Sequence, residues 1–301
     1  MKTLYGVVPI IPTPFTGQED IDEAALRDLI EFAISAKVEA VCLPAYASEF
    51  YKLTDVEKLR VVKIAVEQSA GRIKIVAQSN HPSLKVAKQL AQANVAAGAD
   101  FISLAVPRIF GLPESSLKDF LSGFFESIPQ TPVLIQDFNP GGASLSVRLI
   151  RELSDQHPNF KYLKLEEPLC APKFEDIIQT TQGKIGVLEG WGGLYMLELI
   201  PIGVVGVMPG LAVADILQNV FLLRKDKQDQ KAFDLFEKVM PQIFFSLQNM
   251  EMFHYAEKEL LMARGVLKNS IARKASYNPD PSSIAYIKEL NERILKLVGQ
   301  N

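Results

Sequence analysis

Phe160-Lys161-Tyr162-Leu163-Lys164-Leu165-Glu166-Glu167-Pro168 reads as a short strand that carries a lysine near its C-terminal end and stops at a proline. Side chains alternate along a strand, so Tyr162, Lys164 and Glu166 point one way and Leu163, Leu165 and Glu167 the other. A lysine among apolar neighbours, two residues from a carboxylate on the same face, is costly to desolvate. It is either a structural edge-strand lysine, solvated or paired with Glu166, or a lysine with a chemical role. Which strand this is decides between them.

Strand-like and helix-like segments alternate on both sides of it. Residues 6–11 read as a strand ended by Pro12 and Pro14, and 38–43 as a second ended by Pro44. Between them, 20–36 has the spacing of an amphipathic helix, with Leu26, Leu29, Ile30, Phe32 and Ala33 on one face. Thr54 followed by Glu57 is a capping-box start for a helix reaching about residue 69. Strands over 73–77, 101–106 and 132–136 then alternate with helices over 84–97, 115–127 and 147–154, with a turn at Asn139-Pro140-Gly141-Gly142. The opening stretch is the sixth strand. After it come a helix over 174–181, a strand over 186–188, a helix near 194–199, a strand over 204–208 and a helix near 212–223.

Eight β-then-α units in succession predict an α/β fold, a (β/α)8 TIM barrel over residues 1–225. The number and even spacing of the units disfavour a doubly wound sheet. Residues 226–301 show no strand signal, only helical segments over 231–248, 250–264 and 282–297. No linker rich in Gly, Ser or Pro precedes them, which predicts a C-terminal helical extension packed on the barrel.

With 301 residues, 48% hydrophobic and 22% charged, the chain has a globular composition and a length that one barrel fills. A net charge of -3 without a long basic run argues against a nucleic-acid partner. No apolar stretch reaches the roughly 18 residues of a membrane span, and the N-terminus does not read as a signal peptide. Cys42 and Cys170 stand far apart, form no metal-type pair and read as buried or inert thiols, which suits a reduced, cytoplasmic setting. No two histidines share ligand spacing on one element, and no Gly-x-Gly-x-x-Gly follows a strand. Neither a metal nor a nucleotide cofactor is indicated.

In such a barrel the active site forms at the C-terminal ends of the strands. Past the first two predicted strands stand Thr13-Pro14-Phe15 and Ala45-Tyr46-Ala47-Ser48-Glu49-Phe50. The next three lead to Gln78-Ser79-Asn80-His81, Pro107-Arg108-Ile109-Phe110 and Asp137-Phe138-Asn139-Pro140. The sixth supplies Lys164 and Glu166, and the last two lead to Glu189-Gly190-Trp191-Gly192-Gly193 and Met208-Pro209-Gly210.

This order of motifs resembles the class I aldolase and lyase superfamily of dihydrodipicolinate synthase and N-acetylneuraminate lyase, from Gly6 through the C-terminal helices. The resemblance rests on Thr13-Pro14-Phe15, Gln136-Asp137-Phe138-Asn139-Pro140 and Gly206-Val207-Met208-Pro209-Gly210, with Lys164 ending strand six. It implies that Lys164 forms a Schiff base with a 2-keto acid, without another cofactor, in a homotetramer or dimer. The departures carry information too. The family's Gly-Thr-Thr-Gly-Glu loop, which grips the keto-acid carboxylate, reads Ala45-Tyr46-Ala47-Ser48-Glu49 here. The tyrosine pair after strand four is replaced by Arg108-Ile109, and the proton-relaying tyrosine after strand five is Phe138. A phenylalanine can neither take nor give a proton. The chain is most similar to the branch of L-2-keto-3-deoxyarabonate dehydratase, through Tyr46, Ser48, Glu49, Phe138, Lys164, Glu166 and the run from Leu188 to Gly193.

A mechanism follows. Attack on the keto carbon requires neutral Lys164, which burial favours and Glu166 opposes. The iminium acidifies the C3 protons, and Glu166, about 6.6 Å further along the strand, is placed to take one and to protonate the departing hydroxyl. That is dehydration of a 2-keto-3-deoxy sugar acid. Retro-aldol cleavage would need a base on the C4 hydroxyl. Tyr46, Ala47, Ser48, Phe138 and Met208 are the expected substrate-binding residues, with Ser48 and the N–H groups of its loop donating to the carboxylate. Arg108 is either a cation for that carboxylate or a solvated loop residue, and Tyr46 either a phenol for catalysis or packing. His81 reads as structural or exposed, His157 and His254 as surface and helix-packing residues, and Trp191 as filling a gap between loops. Two further readings stay open: a lyase or aldolase in which Tyr46 or a water replaces the relay, and a non-catalytic keto-acid-binding barrel.

Overall fold

A computed structural model describes residues 3–108, 111–138 and 145–299. Short apolar runs form the strands β1 (Gly6–Val7), β2 (Ala40–Leu43), β3 (Lys74–Gln78), β4 (Phe101–Ala105), β5 (Val133–Phe138), β6 (Phe160–Glu166), β7 (Gly186–Glu189) and β8 (Gly206–Val207). All pairs are parallel, in the order β1-β8-β7-β6-β5-β4-β3-β2. Ile10 bridges to both Cys42 and Gly210, and the Cys42 N–H donates to the Pro9 carbonyl at 2.9 Å, which closes the ring between β1 and β2. The helices α1 (Glu23–Ser35), α2 (Asp55–Ser69), α3 (Leu84–Ala96), α4 (Glu114–Ser127), α5 (Val147–Gln156), α6 (Ala171–Thr180), α7 (Met196–Ile202) and α8 (Ala214–Lys225) follow the strands in turn. The fold is the expected TIM barrel.

Every strand is buried on both faces, and the alternation sorts its side chains into two cores. Val8, Ala40, Cys42, Val76, Phe101, Leu134, Tyr162 and Leu188 fill the barrel interior. Val41, Ile75, Ile135, Leu163, Leu165 and Val187 face the helix layer. In the interior, the Leu4 N–H donates to the Tyr162 hydroxyl at 3.0 Å, so the phenol is not left unpaired.

The element ends differ from the expected ones for local reasons. The first ladder stops at Val7 because Pro209 has no N–H to return to β1, although the Val8 and Ile10 N–H groups still donate to the Val207 and Pro209 carbonyls at 2.9 and 2.8 Å, and the extended run to Ile11 contributes only a bridge. The first helix starts at Glu23, where the Asp22 side chain accepts the Ala25 N–H at 3.0 Å. Thr54 and Glu57 form the capping box. The sixth helix begins at Ala171, earlier than its periodicity indicates, with Pro172 in its first turn. Strand β5 runs on to Phe138, which places Asp137 and Phe138 on the strand rather than in the loop. The expected turn from Asn139 to Gly142, and Ile109, lie outside the described residues.

Past α8 follow α9 (Asp229–Ser246), α10 (Met250–Ala263) and α11 (Pro281–Val298). Phe236, Val239 and Ile243 of α9 join the same buried cluster as Leu217 and Val220 of α8. Helix α10 packs against α9, α11 and the 3₁₀ turn Tyr46–Ser48. Among the described residues no helix is long and apolar enough to cross a membrane.

Candidate active site

The pairing register sets the levels of the barrel mouth. Gln136 and Leu188 stand beside Lys164, and one step higher Phe138 stands beside Glu166. Lys164 and Glu166 are 7% and 6% exposed, and Lys164 Nζ lies 2.9 Å from Glu166 Oε1. The strand rise alone leaves room for the two to stand apart, but the side chains turn toward each other. Glu166 Oε1 also accepts from Gln136 Nε2 at 2.7 Å, and Gln136 Oε1 accepts from Gln78 Nε2. A buried charge pair persists only when such donors meet its remaining lone pairs. Residue 190 is what leaves it space. A Cβ there would lie 2.3 Å from Glu166 Cγ and 2.7 Å from Lys164 Cε, so only glycine fits at Gly190.

The pair forms one end of a cavity of about 430 Å³. Tyr46, Ala47, Phe138 and Met208, all expected there, line it together with Gln136. The Tyr46 ring stands 6.3 Å from that of Phe138 and 6.2 Å from that of Phe50. Burial first, and then the Glu166 carboxylate, raise its phenol above the ordinary value, so it keeps its proton at neutral pH. Trp191 also lines the cavity, beside its gap-filling contact with Tyr195 at 6.0 Å.

Other residues lie elsewhere. Ser48 is fully buried and does not line the cavity; its Oγ donates to the Ile11 carbonyl at 2.6 Å and accepts the Ala45 N–H at 3.0 Å. The hydroxyl thus shapes the turn instead of facing a carboxylate. Arg108 is neither a solvated loop residue nor on the cavity wall: its guanidinium pairs with the fully buried Asp137, whose other oxygen accepts the Leu145 N–H at 2.7 Å. His81 Nδ1 accepts the Ser83 N–H at 2.9 Å, a local turn contact. His157 lies 3.0 Å from Ser122 Oγ and against the Phe125 ring. His254 is 1% exposed within the packing of α10, and burial pushes it down to about 3. Both cysteines are unpaired and buried, with thiols pushed up to about 12 for Cys42 and about 11 for Cys170.

Two contributions were not legible in the sequence. Glu189, at the end of β7, accepts the Trp191 and Gly193 N–H groups at 2.9 and 2.8 Å and so holds the loop that carries Gly190. Burial pushes its carboxyl up to about 7 against those two donors. Its place in the Leu188 to Gly193 run marked the loop, but not the hydrogen bonds by which the carboxylate holds it. Phe244, Leu247, Met250 and Phe253 of the C-terminal helices and their connection also wall the cavity. Their apolar spacing looks the same whether it faces a helix or a ligand.

Fold and mouth together define a (β/α)8 barrel with a buried lysine–carboxylate pair at the C-terminal ends of its strands. The chain belongs to the dihydrodipicolinate synthetase family, whose model matches residues 3–279. It is 23% identical to the L-2-keto-3-deoxyarabonate dehydratase of Azospirillum brasilense over 297 residues, 97% of this chain and 95% of that protein. It is 33% identical to a 4-hydroxy-tetrahydrodipicolinate synthase of Salinibacter ruber over 187 residues, 62% of this chain and 61% of that one. The 4-hydroxy-tetrahydrodipicolinate synthase structure from Methylacidiphilum fumariolicum superposes with a TM-score of 0.91 at 19% identity, covering 99% of this chain and 98% of that one. At that identity the likeness establishes the fold.

Proposed function

We propose that the protein is a Schiff-base-forming lyase that removes water from a 2-keto-3-deoxy sugar acid. The observation that carries this is the 2.9 Å contact of Lys164 with Glu166 at a cavity whose neighbouring strand offers Phe138 and no phenol. Lys164 Nζ adds to C2 of the substrate, and loss of water from the adduct gives the iminium. The iminium draws electrons from C3, and Glu166 removes a C3 proton. The resulting enamine expels the C4 hydroxyl, which leaves as water with the proton Glu166 returns. Two proton shifts and hydrolysis release a keto-acid semialdehyde and free Lys164, with a net loss of one water. The Tyr46 and Ala47 N–H groups open the 3₁₀ turn, have no partner within it, and are the donors for the carboxylate. The likeness to the Azospirillum brasilense dehydratase supports the same reading.

Tyr46 favours a second reading. Its phenol lines the same cavity and lies in the field of Glu166, so it can replace the absent relay on a C4 hydroxyl and cleave the C3–C4 bond. Borohydride reduction with a 2-keto-3-deoxy acid, followed by intact-protein mass spectrometry and peptide mapping, is expected to leave an adduct on Lys164. Product assay then separates the two chemistries: a semialdehyde supports dehydration, and pyruvate with an aldehyde overturns it.

A further inference from the structure

Three polar side chains meet inside the barrel mouth. Gln78 ends β3, Gln136 stands on β5 beside Lys164, and Glu166 ends β6. They are 2%, 4% and 6% exposed. The two amides form a chain with one direction: Gln78 Nε2 donates to Gln136 Oε1, and Gln136 Nε2 donates to Glu166 Oε1 at 2.7 Å. A carboxylate only accepts, so it fixes which end of Gln136 faces it, and Gln136 in turn fixes Gln78. The far end of the chain, Gln78 Oε1, is buried without a partner among the described residues. Turning that amide over would set its oxygen against Gln136 Oε1, so the orphaned acceptor is the cost of donating toward the carboxylate.

The chain makes the two oxygens of Glu166 unequal. Oε1 faces two donors, Gln136 Nε2 and Lys164 Nζ, the latter at 2.9 Å, and no donor among the described residues meets Oε2. A proton arriving at the carboxylate finds free lone pairs on Oε2 and engaged ones on Oε1. Once Lys164 is bonded to a substrate carbon, its nitrogen has fewer protons to give, and Gln136 is the contact that stays on Glu166. That contact suits both charge states, because Oε1 accepts from an amide whether or not Oε2 carries a proton.

We infer that Gln136, oriented by Gln78, is a positioning residue that reserves Glu166 Oε2 for proton transfer. The C3–H bond breaks as the Oε2–H bond forms, its electron pair passes toward the iminium nitrogen to give the enamine, and the same oxygen returns the proton to the departing hydroxyl. Gln136 itself exchanges no proton. The inference rests on the Schiff-base reading of Lys164 with Glu166 as base, and assigns the proton to one atom of that base.

Pyruvate is the probe, since it offers C3 protons without a C4 hydroxyl. The full-length protein is expected to exchange the pyruvate methyl protons in D2O, followed by proton NMR, and to give a borohydride-trapped adduct on Lys164. Gln136→Met, close in volume and unable to donate, is expected to keep the adduct yield at saturating pyruvate and to slow exchange about tenfold or more. Gln78→Met, one bond further away, is expected to slow it by a smaller factor, about threefold. Gln136→Glu separates donation from packing, because a neutral carboxyl donates to Glu166 as the amide does and an ionised one repels it. Its exchange is expected to approach the parental rate at pH 5 and to fall below it as pH rises. Cys42, Tyr46 and Glu189, the other titratable groups that feel the charges of Lys164 or Glu166, are common to both proteins and cancel in the ratio. Exchange by Gln136→Met within about twofold of the parent overturns the inference. So does a loss of adduct that matches the loss of exchange, which would make Gln136 part of substrate capture, and so does a Gln136→Glu protein as slow at pH 5 as Gln136→Met. A parent protein that forms no adduct sinks the Schiff-base reading, and one that forms it without exchange removes Glu166 as the base; in either case the inference falls with the reading.

Discussion

Lys258 Nζ stands 2.5 Å from Glu49 Oε1, with the two side chains 1% and 0% exposed. The pair ties α10 to the turn after β2 that carries Tyr46 and Ala47. Glu49 is held at φ +59°, and its second oxygen accepts from Lys52 Nζ at 3.1 Å and from the Arg273 N–H at 2.9 Å. Lys258 also donates to the Ile271 carbonyl at 2.8 Å. Burial pushes Lys258 down to about 8, against the pull of Glu49. The glutamate that the motif comparison placed in a carboxylate-gripping loop thus anchors that loop to the C-terminal helices.

Replacing Lys258 by Met should therefore do more than remove one bond. Glu49 Oε1 would remain buried without its partner while Lys52 and the Arg273 N–H still meet Oε2, at a cost of about 1–3 kcal/mol. The double change Lys258→Met with Glu49→Leu should recover part of that stability in urea unfolding, while KM for the keto acid stays raised because the turn is no longer pinned. A single variant as stable as the parent would show the pair to be dispensable.

At the inner end, Lys164→Arg should abolish the reducible adduct altogether. Glu166→Gln should still form it with pyruvate, since the amine is retained, but lose about 10²–10⁴ in kcat through loss of proton transfer. Trapping and steady-state kinetics on both proteins distinguish the roles; full activity of the Gln variant would remove Glu166 from the mechanism.

Gly190→Ala tests the space behind the pair. The added Cβ would stand 2.3 Å from Glu166 Cγ, so the carboxylate must move off Lys164 and Gln136. Turnover should fall by about 10²-fold with the circular dichroism spectrum unchanged, because a displacement of about 1 Å suffices for such a loss. Near-parental kcat would mean that the pair can shift without consequence.

Phe138→Tyr returns a phenol to the strand position beside Glu166. On the proposed dehydratase reading, the variant should release pyruvate from a 4-hydroxy-2-keto acid in a larger share than the parent does. A lactate dehydrogenase coupled assay reads this directly, and an unchanged product ratio would mean that the phenol is not what selects between the two bond cleavages.

The pH dependence of stability has an identifiable source in Glu257. Its Oε1 accepts the Ala212 N–H at 2.7 Å, and burial pushes the carboxyl up from 4.5 to about 7 against the Ala212 and Leu211 N–H groups. Because the folded value lies above the unfolded one, the native state holds the proton more tightly. Its favourable contribution is full below pH 4.5 and is lost as pH rises through 7. Glu257→Gln should remove a decline on the order of 1–3 kcal/mol between those pH values, and its amide can donate to Gln242 Oε1, which shares the same small cavity and has no partner among the described residues. Chemical denaturation at pH 5 and pH 8 measures the difference; parallel curves for both proteins would place the cost elsewhere.

The barrel was legible in the chain because a strand buried on both faces reads as an apolar run, a helix as a 3.6-residue stripe, and proline as a stop. Those signals are local. They sufficed to make 160–166 the sixth strand and to put Lys164 at the barrel mouth on the same face as Glu166. They could not say that Phe138 belongs to the strand, that Ser48 turns to the Ile11 carbonyl, or that Arg108 folds onto Asp137, because each depends on a partner distant in sequence. Nor could they reveal the wall that the C-terminal helices add to the cavity. An apolar stripe on α9 and its connection to α10 states only that some face must leave water. Which surface covers it, barrel helix or substrate, is decided by how the C-terminal helices close over the mouth, held there by the buried Lys258–Glu49 pair.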